Sequence, residues 1–185
     1  MSQIFFLLLV LTGALGYYVS TIYNELNRLN SRVERNFSGV DTQLSRRHAV
    51  IKKLVSSIGA EQKNVLDQLG LLISLVEKAE LQRGNQTAFL DTEGQVSRVW
   101  NQILNLPQMK NIPGFRDLNK QISEIEEEIA AARMSYNSSI EKFNIYLFSF
   151  PAGFIAKLLF EQFQKKSFFE STREERQDVE INFNN

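Results

Sequence analysis

The chain contains no cysteine, which excludes disulfides, thiolate nucleophiles and cysteine-based metal sites while leaving the compartment open. It holds a single histidine, a poor start for a metal site or a catalytic dyad. Only three prolines, at 107, 113 and 151, and nine glycines are spread over 185 residues. Such scarcity of chain breakers within long periodic segments favours helix over sheet. Charge of one sign is lacking too: 21 basic residues stand against 21 acidic ones, so no global field draws the chain to nucleic acid or to an acidic small-molecule substrate. Any electrostatic function must be local. The length suffices for one domain with a proper core plus an anchor.

What the chain does have is helical periodicity. Apolar residues fall at Leu118, Ile122, Ile125, Ile129, Ala132, Tyr136, Ile140, Phe143 and Leu147, a spacing of three and four over 115–150 that predicts one long amphipathic helix. At 1.5 Å per residue it would run roughly 50 Å, so its stripe needs other helices of similar length. A matching stripe comes from Ile22, Leu26, Leu29, Val33, Phe37, Val40, Leu44, Ile51, Leu54 and Ile58. The pattern resumes after Gly59 at Val65, Leu69, Leu72, Val76 and Ala79, with a break or kink expected near that glycine. Arg83-Gly84-Asn85 reads as a helix stop, and a third, shorter helix follows with Val96, Val99, Trp100, Ile103 and Leu104 on one face. A loop over 106–114, with Pro107, Pro113 and Gly114, turns the chain into the long helix. The fold class expected is all-α: an antiparallel up-and-down bundle of four helices preceded by a transmembrane helix.

Residues 4–22 carry no charge and would span about 28 Å as a helix, close to the hydrocarbon thickness of a bilayer. Ile4, Phe5, Leu8, Leu11, Leu15 and Tyr18 lie in this span, and Tyr17, Tyr18 and Tyr23 gather where amphipathic rings favour headgroups. A cleavable signal peptide, with Ala14-Leu15-Gly16 as its small-residue site, is the competing reading. Against it stand the missing basic n-region and a helical period that runs on through Leu26 and Leu29. The division expected is therefore an anchor over 1–22, a bundle over 23–169 and a charged, loosely held tail over 170–185, with Ile181 and Phe183 as its pins. Arg28, Arg32 and Arg35 follow the span, so the positive-inside rule places the bundle of a single-pass cell-membrane protein in the cytoplasm.

Four polar features have two readings each. Arg47 interrupts the first stripe; in register it needs a carboxylate, which antiparallel packing would supply from 124–128, and out of register it snorkels into water. His48 sits on a charged helix face and is expected in a surface or flanking role; with no Glu-x-x-His in the chain, a ferritin-like di-iron bundle is not indicated. Glu124, Glu126, Glu127 and Glu128 spread around a helix and read as a solvated face. Asn36, Asn85 and Asn137 each open a glycosylation pattern, two of them inside predicted helices, where chance explains the match.

Phe150-Pro151 should end the long helix and start another. That next segment carries Phe154, Ile155, Leu158, Leu159 and Phe163 with Lys157, Lys165 and Lys166. Capping the bundle, with its phenylalanines buried, is the reading preferred. The alternative is a membrane surface, where a Phe-rich face and lysines also serve.

Two blocks of residues resemble the LemA family of bacterial membrane-anchored helical proteins. Tyr23-Asn24-Glu25-Leu26, Arg32-Val33-Glu34 and 40–48, with Leu44, Arg46, Arg47 and His48, are similar to its first helix. Residues 130–137, with Tyr136 and Asn137, then Phe143-Asn144, Phe150-Pro151 and Ile155-Ala156, are similar to its last long helix and the motif after it. Phe168-Phe169-Glu170 and the charged tail are similar in kind. The chain departs from the pattern at 51–54, where a proline is often found, at Gly153, where an asparagine is common, and at 158–160, which replaces a Gly-containing turn. The resemblance implies a membrane-anchored helical domain with no assigned enzymatic activity. Tyr136, Asn137 and Asn144 are expected to specify packing, an amide beside a stripe fixing helix register.

No convergent set of nucleophile, base and oxyanion donor appears in the sequence. The function expected is thus a non-enzymatic interaction or scaffolding module at the membrane, bound to the lipid bilayer and to an unidentified protein partner or a second copy. No cofactor, metal, nucleic acid or small-molecule substrate is expected. The alternative is a lipid-surface protein that shapes or senses the bilayer through 151–169; an enzyme would have to use Asp41, Arg46, Arg47 and His48.

Overall fold

A computed structural model describes residues 1–57, 63–112 and 114–169 of the chain. Among the described residues there is no strand, and the elements are α1 (Ser2–Ser57), α2 (Lys63–Leu81), α3 (Gln86–Leu104), a 3₁₀ turn (Pro107–Asn111), α4 (Phe115–Phe148) and α5 (Ala152–Leu159). The all-helical expectation holds. The apolar span and the first bundle helix are one helix, α1, so the unbroken period from residue 4 onward is realised in the backbone. Ile58, Gly59, Pro113 and the tail from Glu170 lie outside the described residues.

The chain divides into two compact units, the first formed by Met1–Gly39 with Ala132–Phe168, the second by Val40–Ala131 and the segment beginning at Phe169. In the first, Ile22, Leu26, Leu29 and Val33 of α1 are buried, as are Tyr136, Ile140, Phe143 and Leu147 of α4. The helices run antiparallel there: Asn36 Nδ2 donates to Ser135 O at 2.9 Å, while Tyr23 and Phe143 both pack on the ring of Phe163. In the second unit Ile51 and Leu54 of α1 share a core with Leu69, Leu72 and Val76 of α2, Val96, Trp100 and Ile103 of α3, and Leu118 and Ile122 of α4. Each of these positions was set by the three-and-four spacing, because a helix can bury only one stripe against neighbours of its own kind.

Local chemistry fixes the turns. Asn85 N-caps α3, its side chain accepting from Ala88 N at 3.2 Å, which ends the α2–α3 connection where the sequence stop signal lies. Gly114 takes φ +75°, a left-handed conformation costly for any residue with a Cβ, and its carbonyl accepts the bond from Leu118 N that opens α4.

After α4 a cis Phe150–Pro151 bond leads into α5, with Pro151 at its N-cap. Gly153 N donates to Ser149 O at 2.6 Å, and a Cβ on Gly153 would lie 2.6 Å from Leu147 O and 3.1 Å from Phe148 backbone atoms. The space is closed by main chain, which cannot swing aside. Gly153→Ala is therefore expected to cost about 1 to 3 kcal/mol, as small-to-large changes in filled space do. Thermal unfolding in detergent, followed by circular dichroism, would show it as a lowered midpoint; an unchanged midpoint would mean the α4–α5 corner yields freely.

Candidate functional site

Two places in the described chain combine unusual chemistry with defined geometry, one in each unit. In the second unit α1 presents Leu44, Arg47, Ile51 and Leu54 along one buried stripe, and Arg47 is 0% exposed. Its guanidinium donates through NH1 to Glu126 Oε1 and Ser97 Oγ, at 2.7 and 2.8 Å, and through NH2 to Glu93 Oε2. The in-register reading of Arg47 is thereby realised, with a carboxylate from the 124–128 run as expected. Glu126 is consequently no member of a merely solvated face. Burial by itself would lower the Arg47 pKa, but Glu126 and Glu93 together overrule it and hold the group above its ordinary value.

His48 corrects the expectation of a surface residue: it is 1% exposed. Its Nε2 lies 2.8 Å from Glu93 Oε1 and its Nδ1 3.6 Å from Glu80 Oε1. Neither ring nitrogen has an aligned hydrogen bond, so these are close approaches rather than formed bonds. The reason is register. Arg47 and His48 are adjacent on α1, and both are covered because α2, α3 and α4 contribute Glu80, Glu93 and Glu126 around them. Around this centre Arg46 pairs with Glu128, Arg83 with Asp41 at 3.0 Å, and Lys52 with Glu80 at 2.8 Å. The Lys52 hydrogen bond holds the Glu80 carboxyl below its ordinary range against a smaller opposing effect of burial.

Glu93 is the member that sequence reasoning missed. It is 0% exposed, four residues after Phe89 and three before Val96, on the buried face that continues to Trp100 and Ile103. Extending the α3 stripe back by one turn would have found a carboxylate at a core position, the same signal that singled out Arg47. Asp41, Arg46, Arg47 and His48 are thus brought into one region, as grouped from the sequence, but their chemistry is mutual neutralisation across helices. Among the described residues no group of three or more His, Asp or Glu side chains is placed to hold a metal ion.

The second place is the end of α4 with α5, in the first unit. Tyr23 meets the rings of Phe160 and Phe163 at centroid distances of 5.0 and 6.0 Å, and Tyr136 meets Phe37 at 5.7 Å. Asn144, expected to specify packing, clasps the segment after α5, donating to Lys166 O at 2.8 Å and accepting from Lys166 N at 3.0 Å. Asn24 is exposed and Asn137 half-buried. The Tyr146 phenol is pushed up by burial first and then by Glu25 and Tyr18, whereas Glu25 is held down by its hydrogen bond to Arg28.

Capping is realised only in part: Phe163 is half-buried against Tyr23 and Phe143, whereas the helix α5 itself turns its large side chains outward. The buried residues of α5 are Ala152 and Ala156, while Phe154 and Leu158 are each 68% exposed and Phe150 91%. In eight residues that are apolar nearly all round, one face must remain outside, and the face turned inward is the one that carries Ala152 and Ala156, next to the close approach to α4 at Gly153.

The model of the LemA family fits residues 36–183. No curated protein matches the chain.

Proposed function

The chain belongs to the LemA family, and from that membership we propose that it is a non-enzymatic helical-bundle protein held at the bacterial cell membrane by a single span, serving there as a protein-interaction or scaffolding module. The observation that carries the reading is the change of character within α1. Over residues 4–18 its apolar side chains are exposed on every side, and from Ile22 onward they are buried along one stripe. It is also the one described helix long and apolar enough to cross a membrane. An all-round apolar helix of this length is matched to hydrocarbon and a one-stripe helix to a bundle. The absence of a convergent reactive set in the sequence and the mutual neutralisation around Arg47 favour binding over catalysis. The arginines that follow the span favour a cytoplasmic bundle.

A photo-reactive residue in place of Leu71 or Leu81, both exposed on the second unit, tests the interaction in intact cells. The reading expects a discrete adduct in the membrane fraction, together with a stoichiometric complex or a homo-oligomer when the protein is sedimented in detergent. A strictly monomeric protein without such an adduct would remove the interaction role. Since the chain has no cysteine, one engineered on the second unit reports which side of the membrane it occupies.

A further inference from the structure

The corner of α4 and α5 turns its largest apolar groups outward and its smallest inward. Phe148, Phe150, Phe154 and Leu158 are all exposed, whereas Ala152 and Ala156 are covered. A face of this kind is disfavoured in water and calls for a second apolar phase.

Its position says which phase. Tyr23, at the end of the apolar span of α1, packs its ring on Phe160 and Phe163, and Phe163 in turn packs on Phe143 of α4. Within this unit the corner therefore stands beside the last turn of the span, at the depth where a bilayer passes from acyl chains to headgroups.

The charge fits as well. A cleft of about 540 Å³ opens between the end of α4, α5 and the segment after it, with Leu147, Phe148, Phe160 and Phe163 on its walls and Lys157 and Lys165 in its lining. Glu161 also lines it, so the basic groups outnumber the acidic one. Lys166 is fixed nearby, its ammonium 5.3 Å from the Phe143 ring centroid and its main chain clasped by Asn144. An apolar cleft with lysines at its edge suits an anionic lipid, with its acyl chain against the rings and its phosphate on the ammonium groups.

We propose that the α4–α5 corner is a second lipid contact of this protein: α5 lies in the interface of the bilayer that α1 crosses, Phe150, Phe154 and Leu158 enter the acyl boundary, and Lys157 and Lys165 hold an anionic phospholipid headgroup. The contact deepens the proposed function and rests on its membrane anchor. It ties the bundle to the surface at two points, one of which responds to lipid charge.

The full-length chain carries single cysteines cleanly, because it has none of its own. Phe154→Cys, Leu11→Cys and Ala49→Cys, each bearing an environment-sensitive fluorophore, are reconstituted in phosphatidylcholine vesicles with and without phosphatidylglycerol, and quenched by lipids labelled at shallow or deep acyl positions. Leu158→Cys repeats the corner measurement should Phe154→Cys disturb the fold. The expected result is deep quenching at 11, shallow quenching at 154 and none at 49, with the signal at 154 rising when phosphatidylglycerol is present. The charge removals Lys157→Gln and Lys165→Gln should each lower the docked-to-undocked ratio at 154 about fivefold in anionic vesicles, the effect of one basic group near such a surface. Deep quenching at 11 with a water-exposed label at 154 and 158 overturns the corner contact and leaves the anchor standing. A label at 154 shielded from aqueous quencher but untouched by either lipid quencher means that a second copy covers the face, which also overturns it. Failure to quench at 11 removes the anchor itself.

Discussion

Replacing Arg47 by alanine is expected to lower the stability of the second unit by about 3 to 5 kcal/mol, the usual consequence of removing one partner from a buried ion pair. The loss comes less from the vanished attraction than from what stays behind. Glu93 is fully buried, and without the guanidinium its carboxylate is left desolvated with only the unaligned contact to His48 Nε2 at 2.8 Å beside it. Glu126 suffers less, because its side chain retains 38% exposure and can turn to water. Glu93→Leu alone should be comparably harmful, leaving Arg47 with one half-exposed carboxylate. The pair Arg47→Met with Glu93→Leu should restore stability, and replacements of this kind are often neutral or stabilising by about 1 to 4 kcal/mol. Trp100 is the single tryptophan and is buried in the same unit, so its fluorescence during urea unfolding in detergent reads the effect directly. A double-mutant cycle isolates the coupling. An Arg47→Ala variant destabilised by less than about 1 kcal/mol, as for an exposed pair, would show that the network does not brace α1, α3 and α4.

Arginines in place of Leu11 and Leu15 should release the protein from membranes. Each cation near the centre of a span costs about 2.5 to 3.5 kcal/mol on insertion scales. These side chains are exposed and the stretch is unburied throughout, so the substitutions should leave the second unit folded. Alkaline extraction of membranes separates the outcomes: the unaltered chain stays in the pellet, and the double variant appears in the supernatant with Trp100 emission unchanged. A control with Leu11→Val and Leu15→Val should remain in the pellet. If the arginine variant also resists extraction while the bundle stays folded, the span is not what holds the protein.

The helical stripes could be read in the sequence because they are local. A period of 3.6 is written in residues three and four apart, so Leu26, Leu44, Ile122 and Phe143 declare themselves buried whatever they pack against. The same locality gave the stop at Asn85, the turn at Gly114 and the end of α4 before Pro151. Even the demand of Arg47 for a carboxylate was legible, since a charge in an apolar stripe has few alternatives.

Which helix faces which is not written locally, and that is where reading along the chain failed. Glu93 meets Arg47 across 46 residues of sequence, and only the arrangement of α2, α3 and α4 about α1 turns His48 from a polar residue on a charged face into a buried one. The outward face of α5, with Phe154 and Leu158, was decided in the same way: a helix apolar on every side has no preferred inner face until a neighbour approaches, and here the end of α4 closes on Gly153 while Ala152 and Ala156 are buried. By itself, then, the sequence determined the helices, their apolar faces and the start of α1, long and apolar enough to cross a membrane, all set by backbone period and side-chain hydrophobicity. Tertiary structure alone decided the partners of the buried charges and the side of α5 left uncovered, because both depend on distances between segments far apart in the chain.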